Sequence, residues 1–451
     1  MSSVSPLADG SPRKSWLDRA LSIFADVRAG EGGTALLLAV NIFCILAFYS
    51  VLKVVRDTLI LTESGAQVKS YSAAGQAALL LVVVPLYGAF ASRVNRLYLV
   101  CGVTLFFASH LVIFYALGAA GVRIGIPFFL WAGIFNLVVI SQFWAFSNDL
   151  FTADRGRRLF PVIGIGASLG AFVGAGLSWL GFADLGPYRL MLIAAFGLIL
   201  PTVLTLWVNR RERSVVRAVD QTPPEAPLSK EGGFRLVFSD RYLLLIALMM
   251  ITANLVNTLG GYLLDVFVKN QAQLLAATGA GGLGERDLIG TINSGIATSV
   301  NLLALLFQAF LVSRLIKFIG VRGSLFVLPA VALVSYSFMA FIPIFSVIRI
   351  AKILENSTDY SIQNTARHAL FLPTSREAKY KAKQAIDSFF VRMGDMLQAA
   401  IVYAGTQLIA LSNRGFAVVN IVFVLITLVI VSRIYREHKR LTEQTAAEQA
   451  A

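Results

Sequence analysis

The chain has 451 residues, of which 57% are hydrophobic and 14% charged, and a formal net charge of +14. Soluble domains carry about 25% charged residues, so a mean hydropathy of +0.73 excludes an ordinary soluble fold and makes lipid the solvent for much of the surface. The basic residues sit mostly in short gaps between apolar runs, which points to the positive-inside rule and away from nucleic acid.

Lipid offers the backbone no hydrogen-bond partners, so spanning segments of roughly 20 apolar residues must be helices. Residues 1–33 read as a cytoplasmic tail without the apolar core of a signal peptide; Trp16 to Val27 is either a short amphipathic helix on the membrane or part of a partly ordered tail. An N-terminal half, 34–208, is predicted to hold six helices near 35–60, 70–91, 97–118, 127–150, 159–180 and 189–208. A cytoplasmic linker follows at 209–241, with Pro223, Pro224 and Pro227 and the basic run Arg210, Arg211 and Arg213. The C-terminal half, 242–434, holds helices near 243–266, 288–311, 324–342, 346–371, 384–410 and 416–434, before a cytoplasmic tail at 435–451. The expected fold class is therefore an all-α membrane protein with twelve transmembrane helices in two six-helix halves. An even number puts both termini on one side. The loops opposite them carry only Lys69, Arg123, Arg189, Lys269, Arg286 and Arg414, so both termini are expected in the cytoplasm and the chain in the cell inner membrane.

The halves resemble each other. Ser92-Arg93-x-x-Arg96 returns 221 residues later as Ser313-Arg314-x-x-Lys317, and Leu150-Phe151 returns as Leu370-Phe371. Parallel six-helix repeats fit the major facilitator architecture. Gly166, Gly170 and Gly174 share one helix face, suited to close packing or to helices that slide.

Charges within a membrane are costly, so intramembrane ionisable residues are the first functional candidates. Lys53, Arg56 and Asp57 end the first helix; Lys53 and Asp57, at i and i+4, are expected to pair and leave Arg56 without a local partner. This group reads as an anion grip or as an interface cluster snorkelling to headgroups. Asn254, Asn257, Tyr262 and Asp265 mark the seventh helix, with Asp265 near its outer end. Arg349, Lys352, Glu355, Asn356, Asp359, Gln363 and Arg367 recur every three or four residues and form one polar stripe, either a cavity lining or an internal ion-pair ladder. Asp387, Arg392 and Asp395, preceded by Lys379, Lys381 and Lys383, are expected to find partners on that stripe.

Arginine grips phosphate with two parallel hydrogen bonds and lysine acts as a point charge. Lys53, Arg56, Arg349, Lys352 and Arg367 are thus the candidate anion ligands. Asp57, Asp265, Glu355, Asp359 and Asp387 are the candidate cavity acids or coupling groups, and Lys383, Arg392 and Asp395 structural ion pairs. Phe48, Tyr49, Phe143 and Trp144 are available to stack on a base or to pack. There is no Gly-x-x-x-x-Gly-Lys-Ser/Thr, so no P-loop ATPase drives the chain. His110, His368 and His438 are too scattered for a metal site, and Cys44 and Cys101 lie in apolar segments as packing residues. No catalytic role, cofactor or nucleic-acid partner is expected.

Four segments carry a family resemblance: Tyr49-x-x-Leu52-Lys53-x-x-Arg56-Asp57, Asp265-Val266-x-x-Lys269, Gly295-Ile296-Ala297-Thr298, and Lys381-Ala382-Lys383-x-Ala385-Ile386-Asp387 followed by Arg392-x-Gly394. The chain resembles the ATP/ADP translocases, the nucleotide transporters of plastids and intracellular bacteria, and is closer still to their relatives in free-living bacteria. The resemblance implies that Arg56 stands where the family has a transport lysine, and that Asp265 replaces a functional glutamate. The chain departs from the family at three places: Asn136 is the most polar residue where an acid is expected early in the fourth helix, Asp395 stands for a lysine, and His368 for an acid. The implied activity is alternating-access exchange of an organic anion of the nucleotide class, with no partner needed beyond the bilayer. Proton-coupled transport of another anion (a siderophore, peptide or cell-wall fragment) and a non-transporting sensor or scaffold are the alternatives.

Overall fold

The structure is a computed structural model, and it describes residues 14–23, 25–91, 93–151, 153–215, 232–279, 282–375 and 377–450. Ser92, the first thirteen residues and the linker prolines Pro223, Pro224 and Pro227 lie outside the described residues. Among the described residues there are helices and no strands: α1 (Trp16–Leu21), α2 (Gly32–Ala91), α3 (Arg96–Ala119), α4 (Gly125–Leu150), α5 (Ala153–Gly197), α6 (Ile199–Val215), α7 (Gly233–Ser239), α8 (Arg241–Ala277), α9 (Glu285–Leu306), α10 (Val312–Ser324), α11 (Val327–Phe341), α12 (Phe345–Thr358), α13 (Asn364–Ala369), α14 (Lys383–Ala385), α15 (Val391–Tyr403) and α16 (Asn413–Ala450). Five π-helical turns interrupt the later ones, at Phe307–Leu311, Asp359–Gln363, Ala378–Ala382, Ile386–Phe390 and Ala404–Leu408.

Seven helical stretches are long and apolar enough to cross a membrane. Their outward faces expose large apolar side chains, among them Leu86, Phe106, Leu180, Phe196, Phe318 and Val422. So much exposed apolar surface belongs against lipid.

The longest helix, α2, has 60 residues, about three times what one bilayer crossing needs. It folds back on itself at Gly65, whose φ of 84° is open to glycine and strained for other residues. α5 does the same at Gly186 (φ 67°), and Pro187 then starts the returning helix, where its missing N–H costs nothing. The helices consequently run back and forth between two ends. The near end holds α1, Asn95 and α7; the far end holds Gly65, Gly121, Gly186, Gly279 and Ala410.

One buried apolar cluster gathers residues from Val27 to Val208, and two others gather residues mostly beyond Val237. The first is zipped by glycine. A Cβ on Gly166, Gly170 or Gly174 would collide with the carbonyl oxygens of Ala39, Phe43 and Ala47 respectively. α2 and α5 thus meet backbone to backbone, a fixed approach within one group of helices. At the near end, Arg158 and Arg155 on α5 reach Glu31 and Glu212 at 2.8 Å, and Thr34 donates to Glu212 at 2.5 Å. The α1 helix is shorter than the Trp16–Val27 span and is held by a capping box between Ser15 and Asp18.

Candidate functional site

A cavity of about 680 Å³ lies between the N-terminal and C-terminal helices, within the size range of small-molecule sites. Its charged lining is Lys53, Arg56, Asp57 and Lys69 from α2, Asp265 from α8 and Lys352 from α12, four cations against two carboxylates. Six amides also line it: Asn136, Asn257, Asn293, Asn301, Asn356 and Gln398. Tyr49, Phe129, Tyr262 and Tyr360 supply aromatic faces. The Asn293 side-chain nitrogen is buried without a hydrogen-bond partner in the protein.

At the far end of the cavity the charges form a chain. Arg56 donates through Nε and Nη2 to Asp57 Oδ1 at 2.9 and 2.8 Å, and its guanidinium lies 4.7 Å over the Phe129 ring. Lys69 Nζ stands 2.9 Å from Asp265 Oδ1 and 3.7 Å from Asp57 Oδ1. The expected Lys53–Asp57 pair is corrected: Arg56 takes Asp57, one residue away. Lys53 instead donates to the Tyr360 hydroxyl at 3.3 Å. Lys69, expected in a loop, is in a helix. The turn at Gly65 is so tight that Lys69 already sits in the returning helix, and the only sequence signal for this is that glycine.

The polar stripe does not face one cavity throughout. Lys352, Asn356 and Tyr360, spaced by four, line it. Lys352 is buried and donates to the Asn257 carbonyl and Oδ1 at 3.0 and 2.8 Å, with Glu355 at 3.1 Å. Glu355 accepts from the Tyr336 hydroxyl at 2.7 Å behind the cavity wall, and Asp359 accepts from Asn257 at 3.3 Å. Arg349, in the first turns of α12, is exposed and outside the cavity lining. Arg367 bonds Asn364 at 2.9 Å, also outside the lining. For Arg367 the physical reason is the π-helical turn at Asp359–Gln363: its extra residue rotates the rest of the helix by about 100° from the α-helical projection. Arg349 precedes that turn and lies one turn before Lys352, where the lining of α12 begins.

The last group is also corrected. Its partners come from its own helix and from α8, away from the stripe. Asp387 pairs with Lys383 at 2.7 Å, and Asp395 with Arg392 at 3.2 Å and Asn254 at 2.7 Å. None of these five lines the cavity. Of the four named aromatics only Tyr49 does. Phe48 packs against Gly197, while Phe143 and Trp144 pack edge to face with each other, and Trp144 with Phe160. Cys44 and Cys101 are free thiols.

Solved transporters share this fold. A bacterial homologue of the human lysosomal transporter Spinster superposes with a TM-score of 0.60 at 15% identity, covering 91% of this chain and 98% of that one. A bacterial homologue of the iron transporter ferroportin gives 0.60 at 14%, covering 89% and 98%. The nucleoside transporter NupG gives 0.58 at 14%, also covering 89% and 98%. Identities this low establish the major facilitator type of fold and nothing finer. In sequence, the chain is 23% identical over 370 residues to ADP,ATP carrier protein 2 of Chlamydia pneumoniae, covering 69% of this chain and 65% of that protein. The family profile described as TLC ATP/ADP transporter matches residues 127–443. With that match spanning well over half its length, the chain belongs to the TLC ATP/ADP transporter family.

Proposed function

We propose that this chain is a secondary transporter of the cytoplasmic membrane that exchanges nucleotides of the ATP and ADP kind by alternating access. The observation that carries the reading is the cavity itself: four cations, two carboxylates, aromatic faces and six amides lining about 680 Å³. Arg56 and Lys53 are the proposed phosphate ligands; Lys352 lines the cavity with its ammonium already bonded to Asn257 and Glu355. Asp57 and Asp265 balance them when the cavity is empty. Tyr49, Tyr360 and Phe129 are placed to take a base.

Folding back at Gly65 and Gly186 lets the helices pass the membrane twelve times, in two six-helix halves divided between residues 208 and 242. The near end, with its excess of arginine and lysine, is then cytoplasmic. No sequence signal or cavity residue calls for an enzyme reaction.

Direct binding tests the site. Radiolabelled ATP should bind the purified protein and be displaced by ADP, and Arg56→Ala should weaken binding by about 1.5–3 kcal/mol, or ~10–150-fold. Unchanged affinity in a folded Arg56→Ala protein would remove Arg56 from the site.

A further inference from the structure

The side-chain bonds, ion pairs and close packing described across the two halves lie at the cavity or at the far end. Lys69 meets Asp265, Lys269 donates to the Leu61 carbonyl, and Gln398 donates to Ser70 at 2.9 Å. The apolar seam there is a knob in a hole: the Phe182 ring fills the space a Cβ on Gly290 would need. The near ends of the halves carry their own ion pairs, Arg155 with Glu212 in one and Arg241 with Glu437 in the other.

We propose that Lys69 is the positioning residue that couples cavity occupancy to opening of the far-end gate, acting through Asp57. The proposal rests on the exchange reading above. Lys69 and Asp57 belong to one half, Asp265 to the other. In the structure Arg56 holds Asp57 through Nε and Nη2 to one oxygen, and Lys69 is left to Asp265, the cross-half partner. An anion that takes Arg56 competes directly with Asp57, because guanidinium–anion pairing uses the same N–H fork. The released Asp57 carboxylate finds Lys69, already 3.7 Å away, as its nearest remaining cation. Drawn to Asp57, Lys69 gives up Asp265, and the ion pair that ties the halves is lost. The empty carrier therefore keeps its far gate latched and the loaded carrier releases it. That is what strict exchange requires: a carrier that reorients only when occupied. A ligand shifts such an equilibrium only by its differential affinity for the two states, and displacement of Asp57 supplies that difference.

The test pairs a gate distance with transport. Spin labels go on cysteines at Arg123 and Arg414, exposed on opposite halves at the far end, in a Cys44→Ala, Cys101→Ala background. The distance between them is measured in liposomes by pulsed electron resonance, and loss of preloaded labelled ADP is followed without external nucleotide. The parent protein should show one short distance, joined by a longer one on adding ATP, and should retain its ADP. Lys69→Gln and Asp265→Asn should each show the longer distance without ATP and leak ADP about tenfold faster. Asp57→Asn should do the opposite, with no longer distance on adding ATP and a lower maximal exchange rate without a rise in KM. A merely structural lysine would give no such divergence. A single short distance and retained ADP in both Lys69→Gln and Asp265→Asn would overturn the latch. If the parent ignores ATP but both variants open, the latch stands and the nucleotide reading falls.

Discussion

Lys352 and Glu355, three residues apart on α12, form a 3.1 Å ion pair at 1% and 2% side-chain exposure, with Asn257 holding one end and Tyr336 the other. Every hydrogen-bonding position of the ammonium is taken by the protein. A buried pair of this kind contributes little net stability, but removing one partner strands the other charge at a cost of about 3–5 kcal/mol. Lys352→Ala should therefore lower thermal stability sharply in detergent. Lys352→Ala with Glu355→Gln should recover most of the stability without restoring transport. Equal melting temperatures for the single and double variants would show that Glu355 is not stranded.

The backbone contact of α2 with α5 predicts a size threshold. Gly170→Leu has no room against Phe43 and should abolish stable expression, whereas Gly164→Ala, with nothing within 4 Å of its Cβ, should be neutral. Size-exclusion profiles of the two proteins separate these outcomes.

Acid should undock the N-terminal segment. Burial pulls the Asp18 carboxyl upward, but hydrogen bonds from the Ser15 hydroxyl and the Gly30, Ser15 and Gly32 amides outweigh it and hold the group at about 2. Burial and then Arg158 act the same way on Glu31, with the net result lowered. A depressed carboxylate contributes stability in full above its ordinary value of about 4, and this is lost as pH falls through the folded value. Hydrogen exchange in residues 16–32, corrected for intrinsic rate, should stay flat from about pH 7 to 4 and rise below that. Asp18→Asn should exchange faster at neutral pH and keep only the smaller acid transition that Glu31 supplies.

The aromatic lining predicts an uneven response. Tyr360 hydrogen-bonds Lys53 and its ring lies 5.7 Å from that ammonium. Tyr360→Leu removes both and should raise KM for exchange by a factor corresponding to about 1–2 kcal/mol. Phe143→Leu, remote from the cavity, should leave KM unchanged. Equal effects from both would place the substrate elsewhere.

Composition and the resemblance are enough for a helical membrane transporter of this family, because hydropathy and the Lys-x-Lys-x-x-Ile-Asp run need no tertiary information. Lys53, Arg56, Asp57, Asp265 and Lys352 are legible for the same reason: a charge in lipid has few places to go. The hidden part of the site depends on backbone geometry. Lys69 enters the cavity because Gly65 reverses the chain in a single residue, and Arg367 leaves it because a π-helical turn breaks the 3.6-residue projection. Asn293, Asn301 and Gln398 carry no signal, since an amide in a transmembrane helix can equally serve to bond a neighbouring helix and only packing shows which ones face the cavity. The polar stripe draws attention to itself as the partner of Asp387 and Asp395, although residues three and four positions away are available and take the pairing.

The most direct measurement is exchange in liposomes. Purified protein is reconstituted with internal ADP, and uptake of labelled ATP is followed with and without a proton gradient. Uptake that needs internal nucleotide, ignores the gradient and is lost in Arg56→Ala at equal protein level is the predicted result. Folded protein that takes up no nucleotide under either condition would contradict nucleotide exchange.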